Sequence, residues 1–447
     1  MAEVGRVRDL WLSGRGVLYY QSFLSRSQYW NTEKLREYQF NRCARILSHA
    51  YKRIPYYKNA FDRASFNPHR DFKSLEDLRR IPILSKQAAR REKENLADRA
   101  TLARALELRT SGSTGEFFRE YVSPEHWVVE QATVWRHWSW LRYRFRDHVA
   151  IVRSYVPDSG GPLWKLDPFR NFLYFSAYHL TPENAIAYLR KMQAWAPQIV
   201  RGYASSLLLL AKTILDKAIE LPPLKGILTA SETLLPSTRA TIERAFGTRV
   251  FDWYGQAEAT VTMNECEQHQ GLHVNSEYGI CELFDDPVLP AGEKKIIATS
   301  LHNITMPLIR YDTGDIAIVD AHSPSCPCGR TLPSVRGICG RLDSFLYAPD
   351  GRVIPSVNLY TLMHEFEEIE AFQFIQPSVD YVEVRVRTRG LTNQRQARLC
   401  KGLSLRFGDT VRVEIKENRE FEQTAEGKKN VVVSKVQQGG SHLPTAV

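Results

Sequence analysis

Arg109, Thr110, Ser111, Gly112, Ser113, Thr114 and Gly115 crowd hydroxyls and glycines into one short stretch between β-prone runs at 105–109 and 117–122. Glycine lets backbone amides approach an anion closely, and the hydroxyls add donors for phosphate oxygens, so a polyphosphate is the natural guest. The Gly-Lys-Ser/Thr ending of a Walker loop is missing, and no helix follows at once. Read alone, the same cluster also suits an ordinary hairpin turn.

A second segment, Asp252, Trp253, Tyr254, Gly255, Gln256, Ala257 and Glu258, closes the last β run of an alternating region. Ligands of open α/β sheets sit beyond the carboxyl ends of strands. There Tyr254 offers a flat face to a purine and Glu258 a hard oxygen to Mg²⁺, whose shell is completed by water and phosphate. Strand-end packing would use the same residues. In the third segment, Arg310, Tyr311, Asp312, Thr313, Gly314 and Asp315, the second carboxylate leaves a tight turn directly into a strand, fixed so as to accept both hydroxyls of a ribose. The fourth, Gly340, Arg341, Leu342 and Asp343, and the fifth, Glu426, Gly427, Lys428 and Lys429, each read alone as a surface turn.

A different chemistry is offered by Cys326 and Cys328, a C-x-C pair, with Cys266 upstream and His269 and His273 close behind it. Thiolate and imidazole in a set of four is the usual composition of structural zinc. The spacing is not that of a standard finger, so buried free thiols are the competing reading. His273, which enters the following β run, is preferred over His269 as the fourth ligand. Cys43, Cys281, Cys339 and Cys400 read as ordinary buried thiols.

The elements that must position these residues follow from periodicity. Between 148 and 254 short β-rich runs (148–155, 197–203, 224–229, 248–254) alternate with helical ones (183–195, 205–219, 236–246), as in βαβ units covered on both faces. Pro236 and Gly247 bracket the last helix at the expected ends. Strands dominate from 277 to 320, which predicts a β-subdomain with strands Tyr278 to Phe284, Lys294 to Ser300 and Asp315 to Asp320. Beyond Arg341 the pattern resets to a smaller module, with strands near 380–388 and 410–416 around a helix at 393–406. The fold class is α/β, with domains at 1–341 and 342–436 and a loose tail at 437–447. Helical spacing over 32–52 stops at Pro55. Trp127, Trp135 and Trp138, near one face of a helix over 124–141, read as a core stripe rather than an aromatic substrate pocket.

At 447 residues, with 43% hydrophobic and 25% charged, the chain has ordinary globular usage and can bury a large core. No apolar run approaches a membrane span, and Arg6, Arg8, Asp9, Arg15 and Arg26 break up any signal-like start. Seven cysteines point to a reducing, cytoplasmic setting. The net charge of +10 is spread in short groups, which reads as a solvated surface or a basin for anionic substrates rather than a nucleic-acid face.

In this order and at these separations, the five segments resemble the adenylate-forming superfamily of acyl-CoA ligases, luciferases and peptide-synthetase adenylation domains. The likeness runs over about residues 30–436 and is greatest to the phenylacetate-CoA ligase-like and capsule-biosynthesis adenylating proteins. It also takes in His49, Ala50, Tyr51, Ile54, Pro55, Tyr56 and Tyr57, and Gly202, Tyr203, Ala204, Ser205 and Ser206. The resemblance implies a large N-terminal domain of sheets layered with helices plus a β-subdomain, and a small mobile α+β C-terminal domain turning about a hinge at Asp343.

By the same resemblance Ser111, Gly112, Ser113, Thr114 and Gly115 hold phosphate, Tyr254 and Gly255 meet adenine, and Ser231 and Glu232 line its pocket. Asp315 grips the ribose with Arg341 beside it, Glu258 carries Mg²⁺ and Lys428 is the mobile catalytic lysine. The acyl pocket falls between Tyr203 to Ser206 and Tyr254, and a Cys/His zinc site at matching positions in phenylacetate-CoA ligase-like proteins favours zinc here. Glu116 stands where many relatives have lysine, Ala257 replaces a threonine, and Ser344 a second aspartate; Lys429 adjoins Lys428. The implied activity joins a carboxylic acid, aryl or amino acid in type, to AMP from ATP and passes it to coenzyme A or another thiol or amine. An adenylyltransferase leaving AMP on a cofactor or alcohol is the alternative enzyme, and a zinc-stabilised scaffold the non-enzymatic one. The implied partners are small molecules, not nucleic acid or membrane, and a dimer is compatible with them.

Overall fold

The alternation between 148 and 254 is realised as the parallel centre of a nine-stranded sheet. Across the sheet the strands run Ser334–Val335, Leu272–Val274, Thr262–Glu265, Val250–Gly255, Gly226–Ala230, Ile199–Gly202, Val149–Arg153, Phe172–Ser176 and Trp164–Asp167. The five from Val250–Gly255 to Phe172–Ser176 are parallel, and the outer ones antiparallel. Helices Pro182–Trp195, Ala204–Lys217 and Pro236–Phe246 intervene between the parallel strands. Side chains alternate between faces along a strand. Ala150, Val152 and Val200 accordingly pack with Tyr188, Leu207 and Ile242 of those helices, whereas Val149, Ile151 and Ile199 share a core with Trp138 and Leu141. Both faces are therefore covered, as a parallel sheet requires.

This computed structural model describes residues 7–436 except 110–118, 154, 156, 158–160, 178, 288, 321–325, 342–344, 350–352, 356–358, 360, 361, 364, 367, 389, 409, 418–420 and 422–430. The phosphate-loop residues Ser111, Gly112, Ser113, Thr114 and Gly115, the lysines Lys428 and Lys429, Asp343 and the tail from 437 lie outside the described residues. The chain divides into two compact units, Met1–Leu234 with Thr238–Ile338, and Leu235–Ser237 with Cys339–Val447. No helix among the described residues is long and apolar enough to cross a membrane.

In the first unit a second, antiparallel sheet carries Gly279–Phe284, Glu293–Ser300 and Tyr311–Ile318. The strand expected from Asp315 begins four residues earlier, at Tyr311, so Asp312 to Asp315 lie within a strand and not in a turn. The turn signal was nonetheless real in kind. The register jumps from Ile297↔Asp312 to Lys295↔Ile316, a bulge in which Gly314 adopts φ +70°, a conformation that favours glycine. The Thr313 hydroxyl donates to Ile296 O and accepts from Asp315 N, which locks the bulge. Tyr57, from the early motif, is buried nearby; its hydroxyl donates to Pro307 O and accepts from Ile309 N, fixing the approach to this strand.

The tryptophan helix runs Pro124–Trp140, capped by Ser123 Oγ accepting from His126 N at 3.4 Å. Trp138 and Trp140 are buried but Trp127 and Trp135 only partly, so the expected three-tryptophan stripe is corrected: the buried side also includes His126, Val129, Thr133 and Arg136. Arg136 is the deepest charge of the helix. It meets Glu277 at 2.8 Å with both side chains 1% exposed, bonds Asn275, and donates to Leu24 O of the N-terminal helix Val7–Ser27. Such a pair adds little over an apolar one, but breaking it leaves a buried, uncompensated charge. Glu277→Ala is expected to cost about 3–5 kcal/mol in denaturant unfolding. Arg136→Met with Glu277→Leu is expected to recover most of that, and a single-variant loss below about 1 kcal/mol would refute an ionised pair.

The second unit has a sheet ordered Arg412–Glu417, Tyr381–Thr388, Ile369–Ser378 and Val432–Ser434, with only the central pair antiparallel. Helix Asn393–Phe407 buries Leu399, Leu403 and Phe407, one stripe at helical spacing. Ile369–Ser378 went unread in the sequence because Gln373, Gln376 and Pro377 interrupt its apolar pattern. Gln376 is buried yet satisfied, its amide donating to Tyr347 O and accepting from Tyr347 N.

Candidate active site

Three loops leave the carboxyl ends of neighbouring parallel strands side by side: Gly202 to Tyr203, Ala230 to Ser231, and Gly255 to Glu258. Tyr254, near the end of its strand, donates from its hydroxyl to Asp315 Oδ2 at 2.8 Å, joining the main sheet to the bulge of the antiparallel one. Burial, then the charge and hydrogen bond of Asp315, push the Tyr254 phenol far above its ordinary value, so it remains a donor. The resemblance assigned Tyr254 to adenine and Asp315 to the ribose, and the structure brings the two side chains into contact. Gln256 holds the following turn by accepting from both Thr260 N and Thr260 Oγ1.

Glu258 is buried at the end of that turn, and the Tyr311 hydroxyl donates to its Oε1 at 3.0 Å. The next carboxylate is one that sequence reasoning missed. Glu120 lies in Arg119–Val122, which pairs with Leu106–Arg109; its side chain is buried and Oε2 has no partner among the described residues. Burial, then Glu258 and Glu130, push the Glu120 carboxyl well above the ordinary carboxylate value. A hard divalent cation suits such a pair of acids, so Glu258 with Glu120 near it is a donor set that fits Mg²⁺. Without a cation, burial favours the protonated form of Glu120. Its favourable contribution is then complete below the unfolded value of 4.5 and is lost as pH rises toward the raised folded value. Glu120→Gln is accordingly expected to raise the thermal midpoint at pH 7.5 in metal-free buffer, a gain that vanishes near pH 4.5. A gain equal at both pH values would refute this account.

Ser231 sits at φ +72°, a strained conformation for a residue with a side chain, and its hydroxyl accepts from Arg153 at 2.8 Å. Glu232 accepts from Ser205 N at 2.8 Å and from Ser205 Oγ at 2.9 Å, so it ties the strand end to the start of helix Ala204–Lys217. Arg341 ends the strand Gly337–Arg341. Arg310, part of the third segment, is structural: it donates to Glu282 at 3.1 Å and to Ile81 O at 2.5 Å.

The cysteine and histidine ligand atoms of Cys266, His273, Cys326 and Cys328 lie within 4.8 Å of one another. Cys266 Sγ stands 3.6 Å from Cys326 Sγ, and Cys328 Sγ 3.4 Å from His273 Nε2. Donors bound to one tetrahedral zinc at ordinary lengths stand about 3.5–3.8 Å apart, so the set fits that ion. His273 Nδ1 faces Leu332 O at 3.3 Å, which leaves Nε2 for the cluster. His269 is excluded from it. Its Nδ1 lies 3.5 Å from Glu265, and its ring packs on Phe251. Gly329, at φ +77°, turns the chain so that Gly329 N bonds Cys326 O and both thiols share one side. Burial raises the Cys328 thiol, but bonds from Arg330 outweigh it and the net shift is downward, toward the thiolate. Of the remaining thiols, Cys43 and Cys339 are buried, whereas Cys281 and Cys400 are only partly so.

A solved structure shares this fold. 2-Hydroxyisobutyryl-CoA ligase in the postadenylation state in complex with 2-HIB-AMP superposes with a TM-score of 0.70 at 19% identity, over 92% of this chain and 93% of that one. The homologues of the chain are CapK and the phenylacetate-CoA ligases. Protein CapK of Staphylococcus aureus is 22% identical over 96% of this chain and 97% of its own, and the phenylacetate-coenzyme A ligase of Thermus thermophilus 25% identical over 82% and 81%. The family described as the CapK C-terminal domain matches residues 346–435.

Proposed function

We propose that the protein is an ATP-dependent, AMP-forming ligase that activates a carboxylic acid, aryl or amino acid in type, and passes the acyl group to coenzyme A or another thiol or amine. The observation that carries this reading is the hydrogen bond from Tyr254 to Asp315 beside the buried Glu258. It sets a flat ring and a cation ligand at the carboxyl edge of the main sheet against a diol acceptor on the antiparallel one, as one magnesium nucleotide requires. The ligase names of the homologues and the shared fold support it.

A carboxylate oxygen of the acid attacks the α-phosphorus, the α–β anhydride bond breaks, and pyrophosphate leaves. No base is needed for a carboxylate nucleophile, so catalysis is positioning and charge neutralisation. The phenol of Tyr254 orients Asp315 toward the sugar, and Tyr311 orients Glu258. Mg²⁺ held at Glu258 would neutralise phosphate charge. Attack of a thiolate or amine on the acyl carbon then releases AMP. The seven free thiols fit a reducing cytoplasm.

The test is acid-dependent ATP–pyrophosphate exchange with a panel of aryl and amino acids, followed by product mass. Exchange with AMP released supports the ligase. AMP retained on the product would instead assign an adenylyltransferase, and a protein that neither exchanges nor binds Mg-ATP would refute both.

A further inference from the structure

One cation beside the strand ends has no role in the reading above. Arg201, in Ile199–Gly202, lies on the sheet face that packs against Pro124–Trp140, with its guanidinium 5.5 Å from the centre of the Trp138 ring. Among the described residues it makes no ion pair and no hydrogen bond. Its charged neighbours do not balance it. Arg153, on the adjacent strand, lies 5.0 Å over the Tyr203 ring and donates to Ser231, and it adds a second positive charge. Glu130 is the acid near Arg201, with no ion pair between them among the described residues; its Oε2 is buried without a partner, and burial pushes its carboxyl upward against the opposing pull of a Tyr278 hydrogen bond and of Arg201. Burial and Arg153 pull Arg201 down to about 9. A guanidinium removed from water on its Trp138 side and faced by a second one persists where an anion is to complete the site. The strand Ile199–Gly202 that carries Arg201 runs directly into Tyr203, the segment expected to border the acid.

We propose that the acid activated by this protein carries a second anionic group, a carboxylate in the simplest case, and that Arg201 binds it while the first carboxylate is adenylated. The inference rests on the ligase reading. A planar fork matches a carboxylate with two parallel hydrogen bonds, so the contact selects geometry as well as charge. A monocarboxylic acid of equal length leaves the guanidinium without an acceptor, the situation in which polar sites discriminate most sharply.

The experiment is ATP–pyrophosphate exchange with matched acids: butyrate and succinate, valerate and glutarate, benzoate and isophthalate, phenylacetate and 4-carboxyphenylacetate. In the native protein the dianion of the best pair is expected to exceed its monoanion in kcat/KM by about 10- to 100-fold. Arg201→Leu is expected to abolish that preference through KM for the acid, with KM for ATP held within about twofold, and Arg201→Lys to restore part of it. Activation of monocarboxylates in preference to every dianion overturns the proposal and leaves the ligase standing. So does an Arg201→Leu protein with unchanged acid preference and a raised KM for ATP, which would assign the arginine to the nucleotide. Exchange with no acid at all defeats the ligase reading and this proposal with it.

Discussion

Lys428→Ala is expected to lower acid-dependent ATP–pyrophosphate exchange by about 10²- to 10³-fold while leaving Mg-ATP binding, read by calorimetry, nearly unchanged. In-line attack at the α-phosphorus gathers negative charge on the five-coordinate centre and on the departing pyrophosphate. A preorganised cation is worth most where that charge develops, so its removal raises the barrier without weakening the ground-state complex to the same degree. The role of Lys428 comes from the resemblance carried by Glu426, Gly427, Lys428 and Lys429. Its neighbour therefore serves as the control: Lys429→Ala is expected to change exchange by no more than a few fold. A reversed pattern moves the catalytic role to Lys429. Equal loss of exchange and of ATP binding in Lys428→Ala would mean that the lysine is structural.

The parallel core was legible because its strands are short apolar runs alternating with helical ones, the last helix bracketed by Pro236 and Gly247, and because both faces are buried. Helix Val7–Ser27 was not, since Gly14, Gly16 and scattered arginines blur its apolar face. The segment Arg310 to Asp315 read as a tight turn entering a strand, and it is a bulge within one. Whether a bend is a turn or a bulge depends on a partner strand, and Lys295 and Ile297 lie far enough away in sequence to leave no local trace. The same holds for Glu120 and Arg201. A single charged residue in a strand reads as a solvent position, and only the packed helix beside Arg201 and the Glu258 turn near Glu120 show that the first is half-buried and the second buried. Arg136 and Glu277, 141 positions apart, carry no signal of their pairing in either neighbourhood.

Spacing alone left the choice between His269 and His273 to a slight preference, and pairing decides it. Leu272–Val274 is held between Thr262–Glu265 and Ser334–Val335, so His273 is carried beside Cys266 and the Cys326 to Gly329 turn. The set joins segments about sixty residues apart, and a metal there ties the edge of the main sheet to the chain that follows it. We therefore expect about one zinc per chain by elemental analysis, and a fall in the thermal midpoint of roughly 5–10 °C on chelation or in Cys328→Ser. A cavity of about 370 Å³ lined in part by Cys326, His273 and Asp320 gives a chelator access to the cluster. With the metal removed under reducing conditions, Cys326, partly exposed, should react with thiol reagents before the buried Cys266 does. A chelator-treated protein that contains no metal and melts at its original temperature would return the four residues to the reading of ordinary thiols and a packed imidazole.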